Sequence, residues 1–119
     1  QAVRKALGEK KGICRYGSAV IPMDESLCRV AMDLSGRPCL VWEAKLGDAR
    51  IGEFDPDLFR EFFKSFCDHS GITLHVNLIY GTNGHHMAEA IFKAFARAFR
   101  EAIAIDDRTE GVPSTKGCL

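Results

Sequence analysis

Residues 55 to 103 read DPDLFREFFKSFCDHSGITLHVNLIYGTNGHHMAEAIFKAFARAFREAI, and this stretch decides the fold. Asp55-Pro56 is a helix start: the aspartate can cap free N–H groups, and proline is preset for the first helical position. Leu58, Phe59, Phe62, Phe63 and Phe66 then recur at three- and four-residue spacing. That is the period of a helix laying an aromatic stripe on a core, and Gly71 ends it. From Ile72 to Tyr80 the period changes to two, with Ile72, Leu74, Val76 and Leu78 on one face, which predicts a strand. Gly81-Thr82-Asn83-Gly84 is a turn. Asn83 is placed to cap a long helix from about His85 to Ile103, whose apolar side carries Ile91, Phe92, Phe95 and Phe99.

Upstream, Cys28, Val30, Met32 and Leu34 alternate with Arg29, Ala31 and Asp33, the pattern of a half-buried strand. Ser35-Gly36-Arg37-Pro38 reads as a turn into a second strand, Cys39 to Ala44, so the two are expected to pair as a hairpin. A short strand is expected around Arg50 to Phe54. Gln1 to Leu7 is a short helix stopped by Gly8, too short to hold without something to pack on. Glu9 to Gly12 is a polar turn, and Asp106 to Leu119, with Gly111, Pro113 and Gly117, is irregular. No linker or repeat divides residues 1–119, so one α+β domain is expected. Its mixed sheet is built as hairpin, helix, strand, helix, with both helices on one face. The opposite sheet face is left uncovered, and apolar surface there favours association.

Sixteen basic residues balance sixteen acidic ones in a 119-residue chain, so no global field recruits nucleic acid or an anionic membrane. No apolar run approaches the length needed to span a bilayer. The five cysteines, Cys14, Cys28, Cys39, Cys67 and Cys118, have no CxxC spacing and fit neither a disulfide framework nor a structural zinc site. Cys28 and Cys39 read as small core hydrophobes. This usage suits a reducing, cytoplasmic compartment, or a plastid in a plant.

The chemistry concentrates at Asn83-Gly84-His85-His86-Met87-Ala88-Glu89. His85 and Glu89 lie one turn apart on one helix face, Lys93 extends that line, and His86 is about a quarter turn round. Imidazole nitrogens with a carboxylate suit a borderline divalent metal such as manganese, iron or zinc. Adjacent histidines on a helix cannot comfortably serve one ion, so each is expected to face a different one. The plainer reading of a bare HHxxE is a solvated first turn. It is not the HExxH of a metalloprotease, since His86 stands where the glutamate is required. In the tail, Ser114, Thr115 and Lys116 could cradle a phosphate through hydroxyls, amides and an ammonium, but taken alone a flexible polar tail is the better reading of them. Arg15 and Arg37 are single cations, His75 reads as a satisfied structural histidine, and His69 suits a helix end.

Taken in order, Gly12-Ile13 with Arg15-Tyr16-Gly17, Pro22-Met23-Asp24-Glu25, Asp33-Leu34-Ser35-Gly36-Arg37-Pro38, Gly71-Ile72-Thr73-Leu74-His75, the HHMAEAIFKAFARA run from His85 and Pro113-Ser114-Thr115-Lys116-Gly117 resemble the second half of the imidazoleglycerol-phosphate dehydratases. The resemblance implies two similar halves, each a sheet covered by helices and each with an HHxxE. It implies Mn²⁺ held by histidines and glutamates of both halves, at sites shared between subunits of a large symmetric homo-oligomeric shell. Residues 1–8 then belong to the end of a first-half helix, and residues 106–119 to a substrate-binding tail. His85, His86 and Glu89 fall on metal-binding and catalytic positions. Arg15, Arg37, Lys93, Ser114, Thr115 and Lys116 fall on substrate-binding ones, chiefly for the phosphate. Where the family often carries a further histidine ligand this chain has Glu61, a carboxylate able to bind manganese. The implied reaction is the dehydration of imidazoleglycerol phosphate to imidazole-acetol phosphate in histidine biosynthesis. The implied alternative is a metal-binding assembly half, inactive without the missing N-terminal half.

Overall fold

In the computed structural model, which describes residues 1–119, seven elements follow in order. They are α1 (Ala2–Leu7), β1 (Tyr16–Met23), β2 (Ser26–Asp33), β3 (Cys39–Glu43), α2 (Asp57–Ser70), β4 (Thr73–Tyr80) and α3 (Gly84–Ile103). The strands make one mixed sheet in the order β1-β2-β4-β3, antiparallel except for the parallel β3–β4 pair. Cys28, Val30 and Met32 of β2 and Leu74 and Val76 of β4 bury one face of the sheet. Both long helices cover that face, as the aromatic spacing requires. Phe63 of α2 is wholly buried, its ring 5.7 Å from Trp42 of β3, 5.0 Å from Phe92 and 5.2 Å from Phe95 of α3.

The helix ends follow their sequence signals. Asp55 Oδ1 accepts the Asp57 N–H at 2.9 Å, Gly71 closes α2 in the left-handed conformation, and the Asn83 side chain accepts from the His86 N–H at 3.1 Å. α1 packs on α2, and the N-terminal amine of Gln1 donates to the His69 carbonyl.

Four expectations change. The strands on either side of Ser35–Pro38 are not a hairpin, because β4 lies between them. The connection instead straddles the start of β4: Ser35 Oγ is 3.0 Å from Thr73 Oγ1, and the Cys39 N–H donates to the Ile72 carbonyl. β3 is thereby free to pair in parallel with β4, with α2 as the crossover that parallel strands need. The hairpin of this fold is β1–β2, closed by Asp24 and Glu25 between Met23 and Ser26. Sequence alternation does not reveal β1, because its inward positions include the small residues Gly17 and Ala19, and Pro22 lies in the strand. Proline is tolerated there because β1 is an edge strand. The strand expected at Arg50–Phe54 is only a tight Ile51–Phe54 bridge turning at Gly52. Finally, Cys39 and His75 are exposed rather than structural core residues.

The uncovered sheet face carries the exposed Tyr16, Val20 and Tyr80 alongside Arg29, His75 and Asn77, so apolar and polar side chains share it. Exposed apolar side chains gather as well on the helix layer and the turn before it, at Phe54, Leu58, Phe62 and Phe92.

A close approach sets the position of α3. Ala90, Ala94, Ala98 and Ala102 recur every fourth residue and are all fully buried, a flat ridge that lets the helix axis come near the sheet. At Gly17 the approach reaches backbone contact: a Cβ there would lie 1.9 Å from the Ala98 carbonyl oxygen and 2.9 Å from the Ala102 nitrogen. Neither atom can move without shifting the helix. Gly17→Ala is therefore expected to lower unfolding free energy in urea by at least about 1–3 kcal/mol. The exposed neighbour Ser18→Ala should stay within about 0.5 kcal/mol. Equal stability of the two variants contradicts this packing.

Candidate active site

The first turn of α3 is held in place from both sides. Glycine is needed before it at Gly81, where a Cβ would meet Met87 Cγ and Ser26 Oγ at 2.5 Å, and at Gly84, where it would press on Ile51. From the sheet side, the β1–β2 turn reaches under the helix start. Glu25 Oε1 accepts the Asn83 N–H at 2.7 Å, the Thr82 N–H at 3.3 Å and the Ser26 hydroxyl at 3.0 Å. Glu25 Oε2 lies 2.7 Å from His86 Nδ1. The hydrogen bond from His86, followed by that from the Asn83 backbone, holds the Glu25 carboxyl far below the usual carboxylate range. In return the bond to Glu25 raises the His86 pKa.

The two histidines part company here. His85 turns to Glu89, with Nε2 3.4 Å from Oε2, while His86 turns to the hairpin, its Nε2 3.7 Å from Asp24 Oδ2. Their ring centroids are 6.4 Å apart and the planes differ by 73°. Lys93 donates to Glu89 Oε1 at 2.7 Å and is the main cause of the lowered Glu89 pKa. Glu89 is thus held ionised, with one oxygen toward Lys93 and the other toward His85. Phe54, Phe59, Phe92 and Ala88 wall this corner on its apolar side.

The His85–Glu89 spacing is close to the roughly 3 Å expected of neighbouring ligands on one ion with bonds of about 2.1 Å. A nitrogen and a carboxylate oxygen also suit manganese chemically. Yet no three His, Cys, Asp or Glu side chains converge on one ion-sized point anywhere in the chain. Glu61 is exposed on α2 and pairs with Arg60 at 3.2 Å; it is not gathered with the α3 residues. The chain therefore offers separate partial ligand sets and closes no cage by itself.

Of the expected substrate residues, Lys93 stays beside Glu89, while Arg15, Arg37, Ser114, Thr115 and Lys116 lie toward the other end of α3. The Arg15 N–H donates to the Ala102 carbonyl at 2.9 Å, so Arg15 stands at the helix C-terminus. Its guanidinium grips Asp33 through Nε at 2.7 Å and Nη2 at 3.2 Å, and Nη1 donates to the Pro113 carbonyl at 2.8 Å. It thereby ties down the tail just before Ser114, and three of its five N–H groups are engaged. Within the tail the Lys116 N–H donates to Ser114 Oγ at 3.2 Å, leaving Thr115 and the Lys116 ammonium exposed. Leu119 lies against Gly36, beside exposed Arg37. Lys10, not singled out in the sequence, is buried at this end; its Nζ donates to the Leu34 carbonyl at 3.0 Å, and desolvation lowers its pKa. A helix rise of about 1.5 Å per residue puts roughly 26 Å between His85 and Ala102, in a chain whose long axis measures 46 Å.

Glu25 was not legible as a site residue, since nothing in an isolated Asp-Glu pair announces a histidine partner sixty-one positions away. Its pairing has a pH signature. The depressed Glu25 contributes stability that is complete above its unfolded value of 4.5 and lost as pH falls toward the folded one. The raised His86 contributes stability that is complete below 6.5 and lost as pH rises through its folded value. Without added metal, the difference in unfolding free energy between the native chain and Glu25→Ala should peak between about pH 4.5 and 6.5. It should shrink on both sides. A difference flat from about pH 4 to 9 contradicts the pair.

The chain's relatives are consistent over its full length. The family model described as imidazoleglycerol-phosphate dehydratase matches residues 1–99. A protein of that name from Syntrophus aciditrophicus is 62% identical over all of this chain and 61% of its own length. One from Moorella thermoacetica is 56% identical with the same coverage. This chain thus spans about three fifths of the curated relatives it matches. The crystal structure of imidazoleglycerol-phosphate dehydratase from Staphylococcus aureus superposes with a TM-score of 0.85 at 45% identity, over 88% of this chain and 61% of that one. The Pyrococcus furiosus structure, in complex with (S)-C348, also gives 0.85, at 36% identity over 99% of this chain and 64% of that one. With its helix-strand-helix stretch, its HHxxE turn and its order of strands all inside these matches, the chain belongs to the imidazoleglycerol-phosphate dehydratase family.

Proposed function

We propose that this chain supplies part of a manganese-dependent active site that dehydrates imidazoleglycerol phosphate to imidazole-acetol phosphate in histidine biosynthesis. The supporting observation is the division of polar residues between the two ends of α3. An imidazole-and-carboxylate corner at one end of α3 and a cationic tail tethered by Arg15 at the other, with some 26 Å of helix between those ends, are poorly placed to touch one small phosphorylated substrate within one chain. A site using both kinds of group must take the metal end from one chain and the phosphate end from another, in a homo-oligomer that also brings the missing N-terminal half.

In this reading His85 and Glu89 are ligands at one metal position and His86 at a second, with Glu61 a ligand completed from outside the chain. Manganese, when bound, supplies a Lewis acid that stabilises the substrate imidazole in its anionic form and so eases loss of the neighbouring hydroxyl. Glu89, held ionised by Lys93, is able to accept a proton. Lys93 in turn orients the substrate. Arg37, Ser114, Thr115 and Lys116, with the two spare N–H groups of Arg15, hold the phosphate and so direct binding energy into orientation. The alternative is a metal-binding assembly half that is inactive without its partner half.

Three experiments test the reading. His86→Ala is expected to lower manganese content and dehydratase activity together in the assembled enzyme, whereas Lys116→Ala should leave metal content intact. The latter should weaken phosphate-analogue binding by about 1.5–3 kcal/mol, the scale of a charge-assisted contact. Unchanged manganese stoichiometry in the first, or unchanged binding in the second, removes that residue from its role. In light scattering, any activity of this 119-residue chain is expected to follow an oligomeric fraction. Full manganese-dependent turnover by a monomer would refute the shared site.

A further inference from the structure

Glu25 stands outside the residues given a role above, yet it is the most heavily engaged side chain near the helix start. Its Oε1 is fixed by three donors, the N–H groups of Asn83 and Thr82 and the Ser26 hydroxyl. The two N–H groups can only donate, so Oε1 must accept. That leaves Oε2 facing His86 Nδ1 at 2.7 Å. An ionised carboxylate also only accepts, so the proton of this contact belongs to Nδ1. The other ring nitrogen, Nε2, faces out toward Asp24.

We infer that Glu25 is a positioning residue that keeps the His86 proton on Nδ1 and so reserves Nε2 as the nitrogen for a metal ion. The inference rests on His86 being a ligand. A neutral imidazole offers one lone pair, and a metal can bind only the nitrogen without the proton. A carboxylate behind a ligating histidine fixes both the tautomer and the ring direction. Here the carboxylate is itself locked by the turn that starts α3, so one side chain couples the β1–β2 hairpin, the helix cap and the imidazole.

Glu25→Gln gives a sharp test because it changes one atom's character and almost no volume. The amide oxygen must take over the contacts to the Asn83 and Thr82 N–H groups. The amide NH₂ is then left facing His86 Nδ1, and a donor there drives the ring proton to Nε2. Nitrogen-15 NMR of the histidine side chains, at a pH where His86 is neutral, reads the tautomer directly. We expect His86 as the Nδ1–H form in the native chain and the Nε2–H form in Glu25→Gln, with a mixture in Glu25→Ala. His69, whose Nδ1 lies 2.8 Å from the Ser65 carbonyl, should keep the Nδ1–H form in all three and so reports that the fold survives.

Titration with manganese(II) should broaden His86 in the native chain. In Glu25→Gln the midpoint should lie about 10- to 100-fold higher. An Nε2–H form in the native chain, or a tautomer unchanged by Glu25→Gln with His69 intact, overturns the inference. A native Nδ1–H form whose resonances ignore manganese supports the hold by Glu25 and overturns the ligand assignment of His86.

Discussion

The contact between the alanine ridge of α3 and the backbone of β1 fixes nearly everything else. With methyl groups at Ala90, Ala94, Ala98 and Ala102 and only hydrogen at Gly17, helix and strand reach backbone contact at Gly17, while the half-buried Ile21 and Met23 face the core farther along β1. Their relative position therefore has little play: a close-packed interface of short groups has one good register, because any slide replaces contact with a void or a clash. Because α3 is pinned along β1, its N-terminus arrives over the Asp24–Glu25 turn and its C-terminus over Arg15. Both polar ends inherit their geometry from an interface whose closest contacts are backbone and methyl groups.

The sequence discloses the parts of the fold that repeat. The phenylalanines of α2 and the alternation of β4 are periodic, and Asp55, Gly71 and Asn83 mark helix ends by their own chemistry. Pairing is less visible. The Ser35–Pro38 turn looks like a hairpin because a short polar segment joins two strand-like runs, and nothing local states that β4 will enter between them. β1 escapes notice for a related reason. Its inward face is small because α3 lies so close, so the same packing that makes the strand essential erases the large-residue alternation by which strands are recognised.

The candidate site shows the same split. His85, Glu89 and Lys93 share a helix face by arithmetic alone, and the structure keeps them in contact. The divergence of His85 and His86 is anticipated by helix geometry, since adjacent residues cannot face one point. What His86 faces is not anticipated, because Glu25 and Asp24 arrive through the strand order. Arg15 is the instructive case: as a lone cation it reads as a surface residue, and only the resemblance makes it a substrate contact, whereas its guanidinium largely holds Asp33 and the tail carbonyl of Pro113. An isolated charge in a sequence says nothing of how much of its hydrogen-bonding capacity the fold consumes.

The length of α3 thus has the status of a ruler. A single residue inserted in its middle would turn one end against the other by about 100° and lengthen it by about 1.5 Å. Either the alanines would leave Gly17, or His86 would leave the hairpin turn. Substitutions on the exposed side of the helix, at Ala96 or Arg97 for instance, leave that measure untouched. In the history of such a chain, side-chain replacement and change of length are therefore subject to different filters. The exposed side of the helix can change residue by residue, whereas its residue count cannot.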